Sequence, residues 1–187
     1  MKNTKVTLIP LTEEDREQFI LDNQWAFKHG AMIEFGERDD HIDGDGEIIS
    51  RKTILGCIQD PHCESYRIVL EGRRVGGVIL RINEESGHNE LEILFVKPEE
   101  HSRGIGYGAW RAIEALHPET KTWTTCTPYF DKRNIHFYVN KCGFMIDQFW
   151  CEYFQPEEGF HEDDRDPDEG PDEMFRFIKV MNRGCRL

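Results

Sequence analysis

Three glycines at alternate positions, Gly104, Gly106 and Gly108, stand between a strand-like run and a helical one. No other stretch narrows the possible folds as far. Upstream, Glu90 to Val96 alternates in β fashion, which predicts Leu91, Ile93 and Phe95 on one face and Glu90, Glu92, Leu94 and Val96 on the other. Downstream, Ile105, Ala109, Ala112, Ile113 and Leu116 fall on one side of a helix that Pro118 closes. Such a loop brings its main chain close to whatever lies beside it. The first amides of the helix lack acceptors, and the helix dipole favours negative charge there. A Walker A loop is excluded because no Gly-Lys-Ser/Thr follows, and a dinucleotide fingerprint because the spacing is Gly-x-Gly-x-Gly rather than Gly-x-Gly-x-x-Gly. The residues alone leave two readings, a main-chain cradle for a phosphate or pyrophosphate and a glycine-rich turn with no ligand.

The flanking segments extend the pattern. Thr12-Glu13-Glu14-Asp15 has the form of a capping box and opens a helix to about Lys28, with Phe19, Ile20, Ala26 and Phe27 to bury. Ile48 to Gln59 reads as a second helix. Tyr66 to Leu70 and Val75 to Ile82 read as strands joined by the hairpin Glu71-Gly72-Arg73-Arg74. Lys121 to Thr127 is a further strand. Asp131 can cap a helix with Ile135, Tyr138, Val139 and Cys142 as its stripe and Gly143 as its stop. Phe144 to Phe154 and Met174 to Met181 alternate as strands. This order predicts an α/β (α+β) fold, a mixed central sheet of about six to seven strands flanked by helices, in one domain over residues 1–187.

Composition removes several classes of function. With 12 Phe, 4 Trp and 5 Tyr the chain has enough apolar bulk for a core, so wholesale disorder is excluded. No apolar run approaches the roughly 18 residues of a membrane helix, and the N-terminal stretch does not read as an export signal. The net charge is −13, and residues 157–173 hold ten acids against one base, so a basic nucleic-acid-binding face is disfavoured. That acidic insertion is either a solvated loop or a lid that attracts a cationic substrate. The six Cys form no Cys-x-x-Cys pair and are expected as reduced thiols in a cytoplasm. Asp39 to Glu47 is acidic and contains Gly44 and Gly46, yet neither register completes a calcium loop, and His62-Cys63 makes no zinc set; no metal is expected.

The stretch His101-Ser102-Arg103-Gly104-Ile105-Gly106 resembles the Gln/Arg-x-x-Gly-x-Gly/Ala signature of the GNAT superfamily of acyl-CoA-dependent N-acyltransferases. Phe95-Val96-Lys97-Pro98-Glu99 resembles the strand end before that signature. Asn134-Ile135-His136-Phe137-Tyr138-Val139-Asn140-Lys141-Cys142-Gly143-Phe144 resembles the family's later helix and strand start. Two positions depart from the pattern. His101 stands where the family has Gln or Arg, and Tyr138 lies five residues before Gly143 where the family's acid tyrosine lies four before. A local helix distortion would restore the register.

The resemblance implies direct transfer of an acetyl group from acetyl-CoA, as co-substrate, to a small amine or a peptide amine. The main chain of Phe95, Val96 and Lys97 would pair with the pantetheine arm. The loop of Ser102, Arg103, Gly104, Ile105, Gly106, Tyr107 and Gly108 would hold the pyrophosphate, with Asn134 also at the cofactor. Arg103, Arg111, Lys132 and Arg133 are candidates for the 3′-phosphate. A lysine-like amine needs about 4.6 kcal/mol to lose its proton at pH 7, so a positioned base is required. Glu90 and Glu92 share a strand face, and Glu92 is the expected base; Tyr138 is the expected acid toward the leaving thiolate. Glu34, Glu37, Asp39 and Asp43 fall where the family shapes its acceptor site. The family analogy also allows a homodimer through the late strands. The alternative is a non-catalytic acyl-CoA-binding or regulatory module on the same fold, motivated by the off-register Tyr138. A cation-binding protein is a third class.

Overall fold

The computed structural model describes residues 6–31, 46–101, 103–154 and 173–181. The elements are β1 (Thr7–Pro10), α1 (Arg16–His29), α2 (Arg51–Gln59), β2 (Cys63–Leu70), β3 (Arg73–Arg81) and β4 (His88–Val96), followed by α3 (Ile105–Leu116) and β5 (Thr122–Pro128). The chain then forms α4 (Lys132–His136), which runs into a π-helical turn (Phe137–Cys142), and ends with β6 (Met145–Trp150) and β7 (Met174–Val180). Order and element types match the sequence reading. The strands make one seven-stranded sheet in the order β1-β2-β3-β4-β5-β7-β6. Only the β4–β5 pair is parallel among the described pairings.

Helices cover both faces. Against one lie α1 and α2, where Phe19, Ile20 and Ile54 pack on Ile79, Ile93 and Phe95. Against the other lie α3 and the π-helical turn, where Trp110, Ile113, Tyr138 and Cys142 pack with Val78, Leu80, Leu91, Trp123 and Phe177. Both cores hold side chains with no solvent exposure, each contributing roughly 1.5–3 kcal/mol of transfer free energy.

Three local expectations are corrected. The β2–β3 hairpin turns on two residues, Glu71 (φ 50°) and Gly72 (φ 77°), so Arg73 and Arg74 belong to β3. Two successive positive φ values match the twist of a tight hairpin. Thr12 makes no side-chain cap, and Asp15 closes no capping box, because its carboxylate is taken by Arg67. Leu91, Ile93 and Phe95 do not share a face. Ile79 pairs with Ile93 but Leu80 pairs with Leu91, which leaves Glu92 as the extra residue of a β-bulge. The bulge turns Leu91 to the α3 side and leaves Ile93 and Phe95 on the α1 side.

An ion cluster fastens α1 to the sheet. Arg67 of β2 is 2% exposed. Its Nε and Nη2 donate to Asp15 at 2.7 and 3.1 Å, and its Nη1 donates to Asp22 at 2.9 Å. Arg74 adds a 3.1 Å bond to Asp15, and Lys97 lies 3.0 Å from Asp22. The planar guanidinium suits this forked geometry, and it stacks 5.0 Å from the Phe19 ring centroid. Removing one partner of such a buried set strands the others without compensation. Arg67→Met is therefore expected to lower the free energy of unfolding by about 3–5 kcal/mol, read from urea denaturation. A loss below about 1 kcal/mol would show that water reaches the cluster.

Candidate active site

The site begins where β4 and β5 part. They pair in parallel at His88, Asn89 and Glu90, facing Thr122, Trp123 and Thr124, and the ladder then stops. The bulge at Glu92 bends β4 just past this point. At the fork the Thr125 hydroxyl donates to the Leu91 carbonyl at 2.9 Å. Beyond it, one edge of β4 has no strand partner among the described pairings. The Lys97 N–H donates to the Val75 carbonyl of β3, and the Lys97 carbonyl accepts from the Glu100 N–H, both at 2.9 Å. Antiparallel pairing alternates, so Phe95 also turns its peptide groups to β3 while Val96 and Leu94 turn theirs toward the edge that β5 leaves. Of the three main-chain positions expected for pantetheine, only Val96 is so directed; Phe95 faces β3, and Lys97 gives its N–H to β3 and its carbonyl to Glu100. The Val96 carbonyl accepts from His101 Nε2 at 2.9 Å, which requires the proton on that nitrogen.

Past the end of β4 stands α3. Gly104, at φ 75°, adopts a left-handed conformation that suits glycine and opens the helix without a side-chain cap. The amides of Ile105, Gly106 and Tyr107 are the first of the helix and have no intrahelical acceptor. Gly108 differs from expectation, since its N–H donates to the Gly104 carbonyl at 2.9 Å. A Cβ on Gly106 would sit 3.4 Å from the Phe137 ring, an ordinary contact distance, so the approach of α3 to the later helix does not require glycine there. Behind the loop, buried Glu100 binds Arg73 at 2.5 Å and Arg103 at 2.7 Å. Asn134 donates from Nδ2 to the Thr127 hydroxyl at 3.3 Å, and its N–H is capped by Asp131 at 2.8 Å. Arg111 is paired with Glu114 at 2.7 Å. Ser102 and the acceptor-site candidates Glu34, Glu37, Asp39 and Asp43 lie outside the described residues, as does the acidic stretch 157–172.

The register of Tyr138 is resolved by the π-helical turn. The Gly143 N–H bonds the Tyr138 carbonyl, an i to i+5 link in place of i to i+4. The turn thus holds one residue more than an α-helical turn. Tyr138 stands to Gly143 as a residue four before it would in an α-helix. Its ring is buried on the α3 face among Trp110, Phe144 and Phe177. Burial pushes the phenol's pKa up, and Thr125 partly opposes this.

On the opposite face of the fork lie Glu90 and Glu92. Glu92 is held by Arg81 Nε at 2.5 Å, and Arg81 Nη1 also donates to Asp60 at 2.7 Å. Glu90, the last paired residue of β4, feels the charges of Arg81 and Arg176 only weakly. Burial raises its carboxyl from the ordinary 4.5 to about 7, and the Glu92 charge adds to the rise. Glu90 thus has the proton affinity of a neutral-pH base, whereas the expected base Glu92 is committed to an ion pair. Burial also pushes the Cys57 thiol up to about 11 and those of Cys63 and Cys142 to about 12, so these sulfurs stay protonated and poorly nucleophilic at neutral pH. Among the described residues no group of three or more acidic, His or Cys side chains is placed to hold a metal, and no helix is long and apolar enough to cross a membrane.

Sequence reasoning misses Thr125 and Arg81. Thr125 sits in the alternation Trp123-Thr125-Thr127, which reads as an ordinary strand face. Arg81 is betrayed only by its cross-strand partner Glu90, a pairing that depends on the bulge.

The Glu90 environment has a measurable consequence. Between pH 4.5 and 7 the folded chain keeps a proton on Glu90 that the unfolded chain has released, so raising the pH through that window costs stability. Glu90→Gln is expected to melt above the parent at pH 8, by a stabilisation on the order of 3 kcal/mol, with the gap mostly closed at pH 5. Equal melting temperatures for the two proteins at pH 8 would place Glu90 in water.

Comparison with known proteins agrees with this geometry. Residues 36–144 match the acetyltransferase (GNAT) family. An uncharacterized protein of Bacillus subtilis strain 168, YrkN, is 41% identical over 182 residues, covering 96% of this chain and 95% of that protein. The ribosomal-protein-S18-alanine N-acetyltransferase of Escherichia coli superposes with a TM-score of 0.65 at 14% identity, over 97% of this chain and 98% of that one. The spermidine N-acetyltransferase of Vibrio cholerae, in complex with CoA and spermine, gives 0.63 at 16% identity, over 94% and 95%. The PaiA N-acetyltransferase of Thermoplasma acidophilum, in complex with coenzyme A, gives 0.63 at 16% identity, over 95% and 99%.

Proposed function

The chain belongs to the acetyltransferase (GNAT) family, and from that premise we propose that it transfers an acetyl group from acetyl-CoA directly to the amine of a small molecule or peptide. The observation that carries this reading is the fork between β4 and β5. It offers a peptide edge at Val96 that β5 does not ladder and whose carbonyl is held by His101, amide donors at the start of α3 on one side, and a carboxyl and a phenol flanking the point of divergence.

The residues present suit coenzyme A. The N–H groups of Ile105, Gly106 and Tyr107 at a positive helix end would hold the pyrophosphate, with Gly104 shaping the approach. Arg103, fixed by Glu100, stands beside this loop as a further cation. Asn134 would complete the rim from α4. Acetyl-CoA supplies an acyl group activated as a thioester. Glu90, with Glu92 and Arg81 setting its surroundings, would take the proton from the acceptor ammonium. Tyr138 would give its phenolic proton to the departing sulfur. The thiols of Cys57, Cys63 and Cys142, held protonated, argue against those three sulfurs as acyl carriers. The π-helical turn at Tyr138 supports the catalytic reading over the non-catalytic alternative, which draws on the spacing of that residue.

The test is a coupled thiol-release assay with acetyl-CoA over a panel of small and peptide amines. For the best acceptor, kcat/KM is expected to rise with pH to a plateau through an ionisation near 7. Glu90→Gln should lower kcat by about 100-fold or more and flatten that limb. Binding of CoA with no turnover on any amine would overturn the enzyme reading, and an unchanged limb in Glu90→Gln would shift the base to Glu92.

A further inference from the structure

We propose that Arg176 of β7 binds a carboxylate carried by the acceptor, so that the preferred substrate is a small amino acid rather than a polyamine; the inference rests on the acetyl transfer proposed above. The register puts Arg176 beside the fork. Glu90 pairs with Thr124, and Thr124 in turn with Ile178. Two residues further on, where β4 has left, Cys126 pairs with Arg176. Leu91, Trp123 and Phe177 pack on the α3 side, so Glu90, Thr124, Cys126 and Arg176 all present the other face. Two strand spacings and two residues set the Cα atoms of Glu90 and Arg176 about 12 Å apart. That leaves room between their head groups for a molecule of amino-acid size. The buried core beneath α1 and α2 contains no residue of β5, β6 or β7.

The guanidinium has donors to spare. Its five N–H groups make no hydrogen bond among the described residues. Asp147 of β6 lies 3.6 Å from Nη2, an ion pair beyond hydrogen-bond distance, and the Arg176 side chain is 30% exposed. Arg81, the other cation on this face, is taken by Glu92 and Asp60. Planar, forked donors match a carboxylate at two points, and such charge-assisted pairs are the strong ones. A polyamine offers no anion to this group and brings a second cation toward it. With its carboxylate on Arg176, an amino acid has its nitrogen directed toward Glu90. The ammonium proton passes to the Glu90 carboxylate and the nitrogen forms a C–N bond to the acetyl carbon. The thioester C–S bond breaks, and the sulfur takes the Tyr138 proton. The acceptor's own carboxylate is unchanged by the reaction.

The proposal is tested on the full chain with acetyl-CoA, using the common amino acids, their carboxamides and spermidine as acceptors. The best amino acid is expected to exceed its own carboxamide by at least about tenfold in kcat/KM, mainly through KM. The carboxamide's amine is the less basic of the two, so basicity alone would favour the amide. Arg176→Gln should bring that ratio down toward one, and Arg176→Lys should restore it only in part because the fork is lost. Asp147→Asn, which frees the guanidinium from its neighbour, should lower KM for the amino acid about threefold. Turnover of spermidine with no advantage of amino acid over carboxamide would overturn the proposal and leave acetyl transfer standing. So would an unchanged ratio in Arg176→Gln, which would make the arginine merely structural. No turnover of any amine would overturn the enzyme reading and this inference with it. Should Arg176→Gln fold poorly by circular dichroism, the parent ratio and the Asp147→Asn shift decide.

Discussion

A strand inside a sheet ordinarily gives its peptide groups to both neighbours, and β4 does not. It is laddered to β3 from Glu90 to Val96 but to β5 only at its first three residues. Peptide groups that lose a ladder must find other partners, since leaving them buried and unpaired costs about 1–3 kcal/mol each. The bulge at Glu92 and the divergence that follows leave the remaining edge without a strand partner, where a ligand can supply the missing partners. Every feature of the candidate site is arranged around that divergence. The α3 terminus closes one end, Glu90 and Tyr138 stand on opposite faces of the other, and Thr125 ties the two strands where they separate.

Holding such a fork open requires that the rest of the sheet not follow it apart. The Arg67 cluster serves that end. It joins α1 to β2 through Asp15 and Asp22, reaches the β2–β3 hairpin through Arg74 and the end of β4 through Lys97. Lys97 lies just where β4 leaves the sheet for the glycine loop, so the cation–carboxylate set pins the base of the loop from behind. On the other face a fully buried Trp110 against Trp123 and Phe144 fixes α3, and with it the direction of its first amides.

Much of this is legible in the sequence for local reasons. Gly104, Asp131 and Gly143 mark helix ends through conformations and caps that few other residues supply, and the element order follows from them. The spacing of Tyr138 and Gly143 even indicates a distorted turn. What escapes is everything set by cross-strand register. A bulge at Glu92 does not interrupt the written alternation of polar and apolar residues, so it leaves no trace in the pattern, and Leu91 and Ile93 read as sharing a face. The choice between Glu90 and Glu92 is illegible for the same reason. Both alternate correctly, and only the position of Arg81, eleven residues before Glu92, commits one and spares the other. Phe95 and Lys97 read as cofactor contacts because which way a peptide group points depends on strand pairing, not on residue type.

The glycine at 77 has an effect that reaches beyond its own strand. A Cβ there would lie 2.3 Å from the Phe19 ring and 2.6 Å from the Phe95 ring, so α1 and β4 share a volume that β3 leaves vacant. The two rings meet edge to face across it, 5.2 Å between centroids. Three segments far apart along the chain are thereby bound to a common size limit. Any lineage that enlarges one of these three positions must shrink another, and homologues should show them drifting as a set.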